Sequence, residues 1–421
     1  MLSAIEQYQT QKISFSVHTS YLDWKTNFPS IVLCEKSNEK MDEANDQIFG
    51  TISEQLPKLE HFVFFDGTMT NKEVCLPGGK LRDTCILGNY SEYMRKFRST
   101  CSEVIGSCYY NNEKFPCCDE FLPIGTYHGP CLAFNSLVSE KYSNQKNLPF
   151  KITRSLAYGY GNLSVELFHA GFFVYGLSQD AVPTRDSSSE FALIESSSGK
   201  GITDDTYYKT FLAVKESFTD EDARLMNVEH RGCRFYDENN LRHSKVFSMS
   251  ACENECLVEA QLHFCNCTAH TLPHIDQIKD CDFDGLLCVM GRDEITPKSK
   301  TCNCTSSCFD VEVTNIGFTK TPLDSKVSRD RKSVVRIDFI VQSPTIRFAR
   351  TVVKTPLSML VSVGGTVGLF IGASLLTIVE IIYYFIIRPL GTKYKNYEKI
   401  KNECMDIFDR KYNTHHYDFV N

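Results

Sequence analysis

Apolar and polar positions alternate over residues 13–34, with Ile13, Phe15 and Val17 on one side, before the run Phe28-Pro29-Ser30-Ile31-Val32-Leu33-Cys34. A period of two is that of extended chain, so this stretch predicts two strand segments tied down at Cys34. Residues 36–72 are polar and weakly patterned, and 75–131 are cysteine-rich, turn-rich and carry the adjacent pair Cys117-Cys118. Leu148 to Gly176 predicts strands, aromatic and β-branched over 168–177, and the serine clusters at 187–189 and 196–198 mark a surface loop. Two helices follow: Thr219-x-x-Asp222 opens one to about Asn227, and the capping box Ser250-x-x-Glu253 opens another from Ala251 to about Phe264. From Val311 to Val341 the alternation returns (Val311, Val313; Val335, Ile337, Phe339), so the chain rejoins a sheet. No internal repeat is visible.

The pattern then changes character. Pro356 to Val379 is 24 residues without a charge, followed by Glu380 and further apolar residues to Ile387. At about 1.5 Å per residue the uncharged run alone covers a hydrocarbon core of about 30 Å. It predicts a membrane span over 356–387, followed by a polar, partly disordered tail over 388–421.

Composition sharpens this partition. Eighteen of nineteen cysteines lie between Cys34 and Cys308, upstream of the span, and only Cys404 lies beyond it. Such numbers imply disulfides made in an oxidising compartment. All four Asn-x-Ser/Thr sequons are upstream too: Asn89, Asn162, and Asn266 and Asn303, whose middle residue is Cys and which are poor acceptors. Flanking charge is balanced, Arg347, Arg350 and Lys354 before the span and Arg388, Lys393 and Lys395 after it. The cysteines therefore orient the chain, with 1–355 extracellular and 388–421 cytosolic in the plasma membrane. The opening Met-Leu-Ser-Ala-Ile-Glu-Gln-Tyr-Gln-Thr-Gln-Lys has no apolar core of a signal peptide. A preceding first transmembrane helix, joined near residue 10, is the expected means of carrying the ectodomain across, leaving 1–13 as its remnant.

The formal charge of −7 is modest and no Lys/Arg block marks a nucleic-acid partner. No G-x-S-x-G or H-E-x-x-H motif occurs, so no catalytic residue is assigned and an enzyme is not expected. Cys252 and Cys256 share a helical face about 6 Å apart along the axis. Cys302 and Cys304, two apart in an extended segment, stand about 6.6 Å apart. Matching spacings predict an antiparallel ladder, Cys256–Cys302, Cys252–Cys304 and outermost Cys233–Cys308, with Cys265 and Cys267 closing onto Cys288 and Cys281. A zinc site using His263 and His270 is the competing arrangement; oxidising conditions and the Cys-x-Cys spacing disfavour it.

In the span, Gly364, Gly368 and Gly372 recur every four residues with Gly365 beside them. Such a stripe packs helices in a single-span receptor. Gly372-Ala373-Ser374 in mid-span, however, offers backbone and hydroxyl oxygens, and Glu380 is an ionisable residue within the apolar run. Small residues, oxygens, then an acid describe a cation path.

Residues 364–380, GGTVGLFIGASLLTIVE, resemble the second transmembrane segment of degenerin, epithelial sodium and acid-sensing channels, G-x-S filter included. Phe28-Pro29…Cys34, Gly129-Pro130-Cys131-Leu132-Ala133-Phe134-Asn135, Arg231-Gly232-Cys233-Arg234-Phe235, Cys252-x₃-Cys256 and Cys265-Asn266-Cys267 resemble that superfamily's ectodomain. Cys117-Cys118 and Glu380-Ile381-Ile382-Tyr383-Tyr384-Phe385 resemble its pickpocket branch most. The resemblance spans about residues 14–390. It implies an α+β, disulfide-rich, β-based extracellular domain over 14–355, built of palm, β-ball, finger (75–131), thumb (215–310) and knuckle, and a further bridge Cys34–Cys131. It also implies a trimer with two identical or homologous subunits in membrane lipid. The function implied is an amiloride-sensitive sodium channel, with Gly372, Ala373 and Ser374 as filter, Gly364, Gly365, Gly368 and Glu380 lining the pore, and Gly368 contacting the blocker. Its gate answers an extracellular ligand or a mechanical stimulus, and it needs no cofactor beyond the permeant sodium ion. Two departures stand out: the first helix with its preceding His-Gly motif is absent, and Ser362 occupies the position of an acidic residue in acid-sensing members.

Overall fold

The structure is a computed structural model describing residues 13–19, 26–36, 38, 40, 64, 89–143, 148–152, 160–169, 171–185, 205–273, 278–291, 302–323, 335–342, 346–352, 356–371 and 375–415. They fall into two units, residues 14–351 and the remainder. Twelve strands carry the first unit: β1 (Ile13–His18), β2 (Ser30–Glu35), β3 (Ile105–Tyr110), β4 (Glu113–Phe115), β5 (Phe121–Thr126), β6 (Gly129–Phe134), β7 (Tyr160–Leu167), β8 (Phe172–Leu177), β9 (Thr206–Thr219), β10 (Phe309–Pro322), β11 (Val335–Gln342) and β12 (Arg347–Val352). Shorter pairs join Thr26–Asn27 to Lys151–Ile152 and Cys233–Arg234 to Ser306–Ser307. Among the described residues the larger sheet has the order β1-β12-β9-β11-β7-β3-β4 and the smaller β8-β2-β6-β5.

The hub is β9. It runs antiparallel to β10 from Thr206↔Pro322 to Phe218↔Phe309, parallel to β11 over 207–213 and parallel to β12 over 216–219. Its burial alternates along Thr206–Val214, as a half-buried strand requires. The core packs Leu33, Leu163, Val165, Leu212, Ile337 and Phe339 between the sheets. Phe28 and Asn135, far apart in sequence, meet at their joint: the fully buried Asn135 donates from Nδ2 to Phe28 O at 2.6 Å and to Phe150 O at 3.2 Å. Gln179 Nε2 also donates to Phe28 O, at 3.1 Å. Pro29 follows a residue whose carbonyl is thus already committed, and the adjacent Cys34–Cys131 bond fastens β2 to β6.

Residues 233–308 leave the sheet as a helical excursion. Helix α1 (Tyr90–Phe97) supplies Tyr90 to its core, and α2 (Met249–Cys265) and α3 (Phe283–Gly291) supply Leu257, Val258, Phe283 and Leu286. The capping box expected at Ser250 does not form; a single side-chain cap lies two residues earlier. Ser248 caps α2, accepting from Ala251 N at 3.1 Å, whereas Ser250 Oγ accepts from Val182 N at 3.0 Å and so fastens a loop to the helix. The helix expected from Thr219 to Asn227 is a 3₁₀ turn, Glu221–Leu225. Thr219 stays in β9, held by its register with Arg350, so the helix signal loses to the sheet. A second turn, Val228–Arg231, closes on Gly232 at φ 69°, where a side chain would strain the backbone.

The bridges lie where spacing predicts. Cys252–Cys304 and Cys256–Cys302 have Cα–Cα distances of 5.8 and 6.0 Å, and Cys233–Cys308 closes the excursion at 4.9 Å. Cys265–Cys288 and Cys267–Cys281 tie α2 to α3 and its approach. With all four sulfurs oxidised, the competing zinc arrangement has no thiolate donors. Cys108–Cys117, unassigned from sequence, pins the helical turn Cys117–Glu120 to β3, and Cys101–Cys118, also unassigned, ties that turn to the turn Cys101–Val104; Cys75 and Cys85 lie outside the described residues.

The second unit contains α4 (Pro356–Ile371), α5 (Leu375–Ile382), a π-helical turn Tyr383–Ile387 and α6 (Arg388–His415). Of the tail expected to be polar and partly disordered, Arg388–His415 is helical: 28 residues rich in Lys, Glu and other helix formers.

Because Cys252 and Cys304 are partners, Cys252→Ser and Cys304→Ser should each lower surface delivery, and the double variant should be little worse than either. Surface biotinylation measures this; losses that add would contradict the shared bond.

Candidate functional site

The apolar run 356–387 is where chemistry is expected, and it is described as two helices. Among the described residues no helix is long and apolar enough to cross a membrane; α4 has 16 residues and α5 has 8. Gly372, Ala373 and Ser374 fall between them, outside the described residues, as does the side chain of Ser362. Gly364, Gly365 and Gly368 lie on α4, the first two exposed and Gly368 half-buried; Glu380 lies exposed on α5. A Cβ added at Gly364 or Gly365 would meet nothing within 4 Å. No described neighbour in the chain itself requires glycine there, which leaves a smooth strip for something outside the chain to approach.

The same helices expose large apolar side chains, among them Leu369 (80%), Leu376 (73%) and Phe385 (77%). Consecutive turns of bare Leu, Ile, Val and Phe are not sustained in water and call for a covering surface from outside the chain. An acid on an otherwise apolar helix belongs on a water-accessible or protein-facing side.

In the first unit the charged groups gather where the excursion leaves and rejoins the sheet. Arg231 is buried and donates from Nε to Cys233 O at 2.8 Å, from Nη1 to Met226 O at 3.2 Å and from Nη2 to Glu238. Two backbone carbonyls and a carboxylate thus occupy its fork, which is the arrangement that tolerates burial of a guanidinium. In the sheet, Glu216 on β9 pairs with Arg347 on β12, and Arg347 also donates to Thr26 Oγ1 at 3.0 Å. Burial pushes the Glu216 carboxyl up despite that partner.

Asp180 is the more exposed to consequence chemically, although only 4% of it is open to solvent. It sits in the loop after β8, accepts from Ser178 Oγ at 2.6 Å, and is coupled to Ser307 and to Asp310 at the start of β10. Burial is the main cause that lifts its pKa from the ordinary 3.8 to about 6, with repulsion from Asp310 adding to it and the Ser178 bond opposing it. Sequence gave no signal for it, since nothing in a Ser-Gln-Asp tripeptide announces burial.

Of the two sequons with an ordinary middle residue, Asn89 is exposed ahead of α1 and accepts from Glu92 N at 3.4 Å. Asn162 instead lies inside β7 between β11 and β3, half-buried, its amide N donating to Asn111 Oδ1 at 2.9 Å.

With this geometry in place, the comparisons decide the family. The pattern described as "Amiloride-sensitive sodium channel" matches residues 1–384. The chain belongs to this family. Sodium channel protein Nach of Drosophila virilis is 25% identical over 345 residues, covering 77% of this chain and 87% of that protein. Its Drosophila melanogaster counterpart is 26% identical over 332 residues, 70% of this chain but 60% of the relative's length. Pickpocket protein 11 of Drosophila melanogaster is 26% identical over 176 residues, 39% of this chain and 34% of that one. A proton-activated chloride channel seen by cryo-electron microscopy overlaps 91% of both chains at 7% identity with a TM-score of 0.25, too weak a likeness to bear on the fold. The amiloride-sensitive sodium channel family thus covers both the disulfide-rich unit and the helices through Tyr384, and its pickpocket members are among the relatives. It is a family of ion channels, consistent with a chain that is not an enzyme.

Asp180 gives a pH dependence with a definite sign. A folded pKa above the unfolded value means that the folded chain holds a proton the unfolded chain has released, so stability falls as pH rises from about 4 to about 6. The difference corresponds to about 3 kcal/mol at most. Asp180→Asn keeps the acceptor for Ser178 and removes the charge. It should flatten that part of the profile and raise stability at neutral pH in denaturant unfolding of the detergent-solubilised chain. An unchanged profile would show that Asp180 ionises without cost.

Proposed function

We propose that the chain is a subunit of a trimeric, sodium-selective, amiloride-sensitive channel of the plasma membrane, with residues 14–355 outside the cell and 388–421 in the cytosol. One observation carries the reading: the family match spans residues 1–384, and so reaches from the disulfide-braced ectodomain past the Gly364–Glu380 stretch. In this reading α4 and α5 lead into and out of Gly372-Ala373-Ser374. Three copies around an axis present rings of backbone carbonyls, with the Ser374 hydroxyl, that replace part of the hydration shell of sodium. Gly372 permits backbone angles that other residues resist, which a non-helical segment lining a water path needs. Glu380, deeper toward the cytosol, concentrates cations without choosing sharply among them. The partners are two identical or homologous subunits and the surrounding lipid, and an extracellular ligand or mechanical force opens the gate.

Full-length chains expressed in oocytes, alone and with homologous subunits, test the filter through reversal potentials in sodium and potassium. Ser374→Ala and Ser374→Cys should shift the sodium-to-potassium ratio several-fold, whereas Glu380→Gln should lower conductance and leave the ratio alone. A ratio unmoved by both Ser374 variants would remove the filter from this segment.

Gly368 lies one turn before Gly372 and leaves room for a flat guanidinium-bearing ring in the pore mouth. Gly368→Trp should weaken amiloride block by about tenfold or more while reducing current less. Block unchanged by the substitution would place the drug elsewhere.

A further inference from the structure

Helix α6 presents an apolar stripe that nothing in the chain covers among the described residues. Leu390, Tyr394, Tyr397, Ile400, Ile407 and Phe408 are each 60–72% exposed. At helical spacing these residues, with Cys404, fall within an arc of about 140°, which Lys393, Lys401 and Lys411 share. Lys395, Glu398, Lys399, Glu403, Asp406, Asp409 and Arg410 occupy the opposite arc. We infer that α6 is a self-association element: the stripes of two or three copies of this chain pack on one another in the cytosol, forming a helical bundle that continues the pore.

Three observations select a second copy over a lipid surface. The polar face holds four acids and three bases, whereas a helix lying on an anionic leaflet carries a basic polar face. Lys393, Lys401 and Lys411 stand within the stripe, where a lipid-facing helix would sink their charge among acyl chains. In a bundle a seam lysine is tolerated at some cost in stability and fixes register and copy number. Finally, α5, the π-helical turn and α6 abut without a break, so chains gathered around one axis at Glu380 deliver their α6 helices side by side. An arc this wide also exceeds the narrow two-position seam of a paired coiled coil and suits more than two helices. The inference rests on the assembly proposed above.

Cys404 reports on it directly. It is exposed, lies on the stripe, and is the free cysteine among the described residues. Full-length chain in detergent or native vesicles is treated with a short homobifunctional maleimide and run on a denaturing gel, while native electrophoresis reads the assembly separately. Covalent dimers and trimers through Cys404 are expected, absent in Cys404→Ser. Moving the thiol to the polar face, as Lys399→Cys in the Cys404→Ser background, should lower the yield by about tenfold, since the effective concentration of facing thiols falls. Ile400→Asp with Ile407→Asp should cut Cys404 cross-linking about fivefold or more, with assembly on the native gel retained. Equal yields from Cys404 and Lys399→Cys, insensitive to the aspartates, overturn the inference in an intact assembly. So does a Cys404 shielded by lipid from a polar maleimide yet never cross-linked, which would put the stripe on the membrane. A chain that is monomeric on the native gel overturns the assembly reading itself.

Discussion

The first unit depends on closing one long excursion. Strand β9 ends at Thr219, and its antiparallel partner β10 begins at Phe309, with Phe218 opposite Phe309. Everything between must return to a register that, slipped by one residue, would turn the alternating β9 inside out. Closing a loop of that length costs entropy, and the Cys233–Cys308 bond, beside the two-residue pair that joins Cys233–Arg234 to Ser306–Ser307, removes much of that cost from the folding equilibrium. The inner rungs Cys252–Cys304 and Cys256–Cys302 then hold α2 against the returning chain. The excursion's own core is modest, built around Leu257, Val258, Phe283, Leu286 and Tyr90, so covalent bracing compensates for a small buried area.

Once that closure is fixed, the polar groups near it become explicable. Arg231 is buried because the turn ending at Gly232 brings it back onto Cys233 O, and Glu238 neutralises it. Asp180 is buried for a related reason, since β10 starts at the point where the loop after β8 passes, and Ser307 and Asp310 come with it.

The sequence was most legible where spacing is imposed by covalent geometry. Cysteines four apart on a helix and two apart on extended chain leave few ways to pair without strain, which is why the inner rungs follow from spacing alone. Cys34–Cys131 was different, legible through resemblance only, because its partners sit on separate strands of the smaller sheet. Strand alternation marked β1, β10 and β11 as extended chain but not their burial: Phe15 and Val17 of β1 are exposed, Val311 is the buried residue of β10, and β11 is buried at nearly every position. It failed at the junctions. Thr219 carries a helix-start signal but also a β-branched side chain opposite Arg350, and tertiary pairing prevailed. Ser250 matched a capping pattern, yet Ser248 is the residue whose backbone is extended at the helix entrance. Asn162 reads as a surface sequon only until the strand around it is seen to be paired on both edges.

The second unit obeys a different accounting. Helices α4 and α5 are apolar on too many sides to stand alone in water, and a Cβ at Gly364 or Gly365 would meet nothing in the chain. Both facts say that the completing surfaces come from outside. Lipid can cover Leu369 or Phe385, but lipid gives no reason for glycine at Gly364 and Gly365, where any small or large apolar residue would serve it equally well. A close-approaching neighbour does. The same reasoning reaches α6, where a stripe interrupted by Lys393, Lys401 and Lys411 and backed by mixed charge is poorly suited to lipid and better suited to another helix. Under the proposed assembly, copies gathered around one axis would meet two separate demands of this unit at once, the room left at the glycines and the cover missing from the stripe, although neither demand arises from the ion path itself.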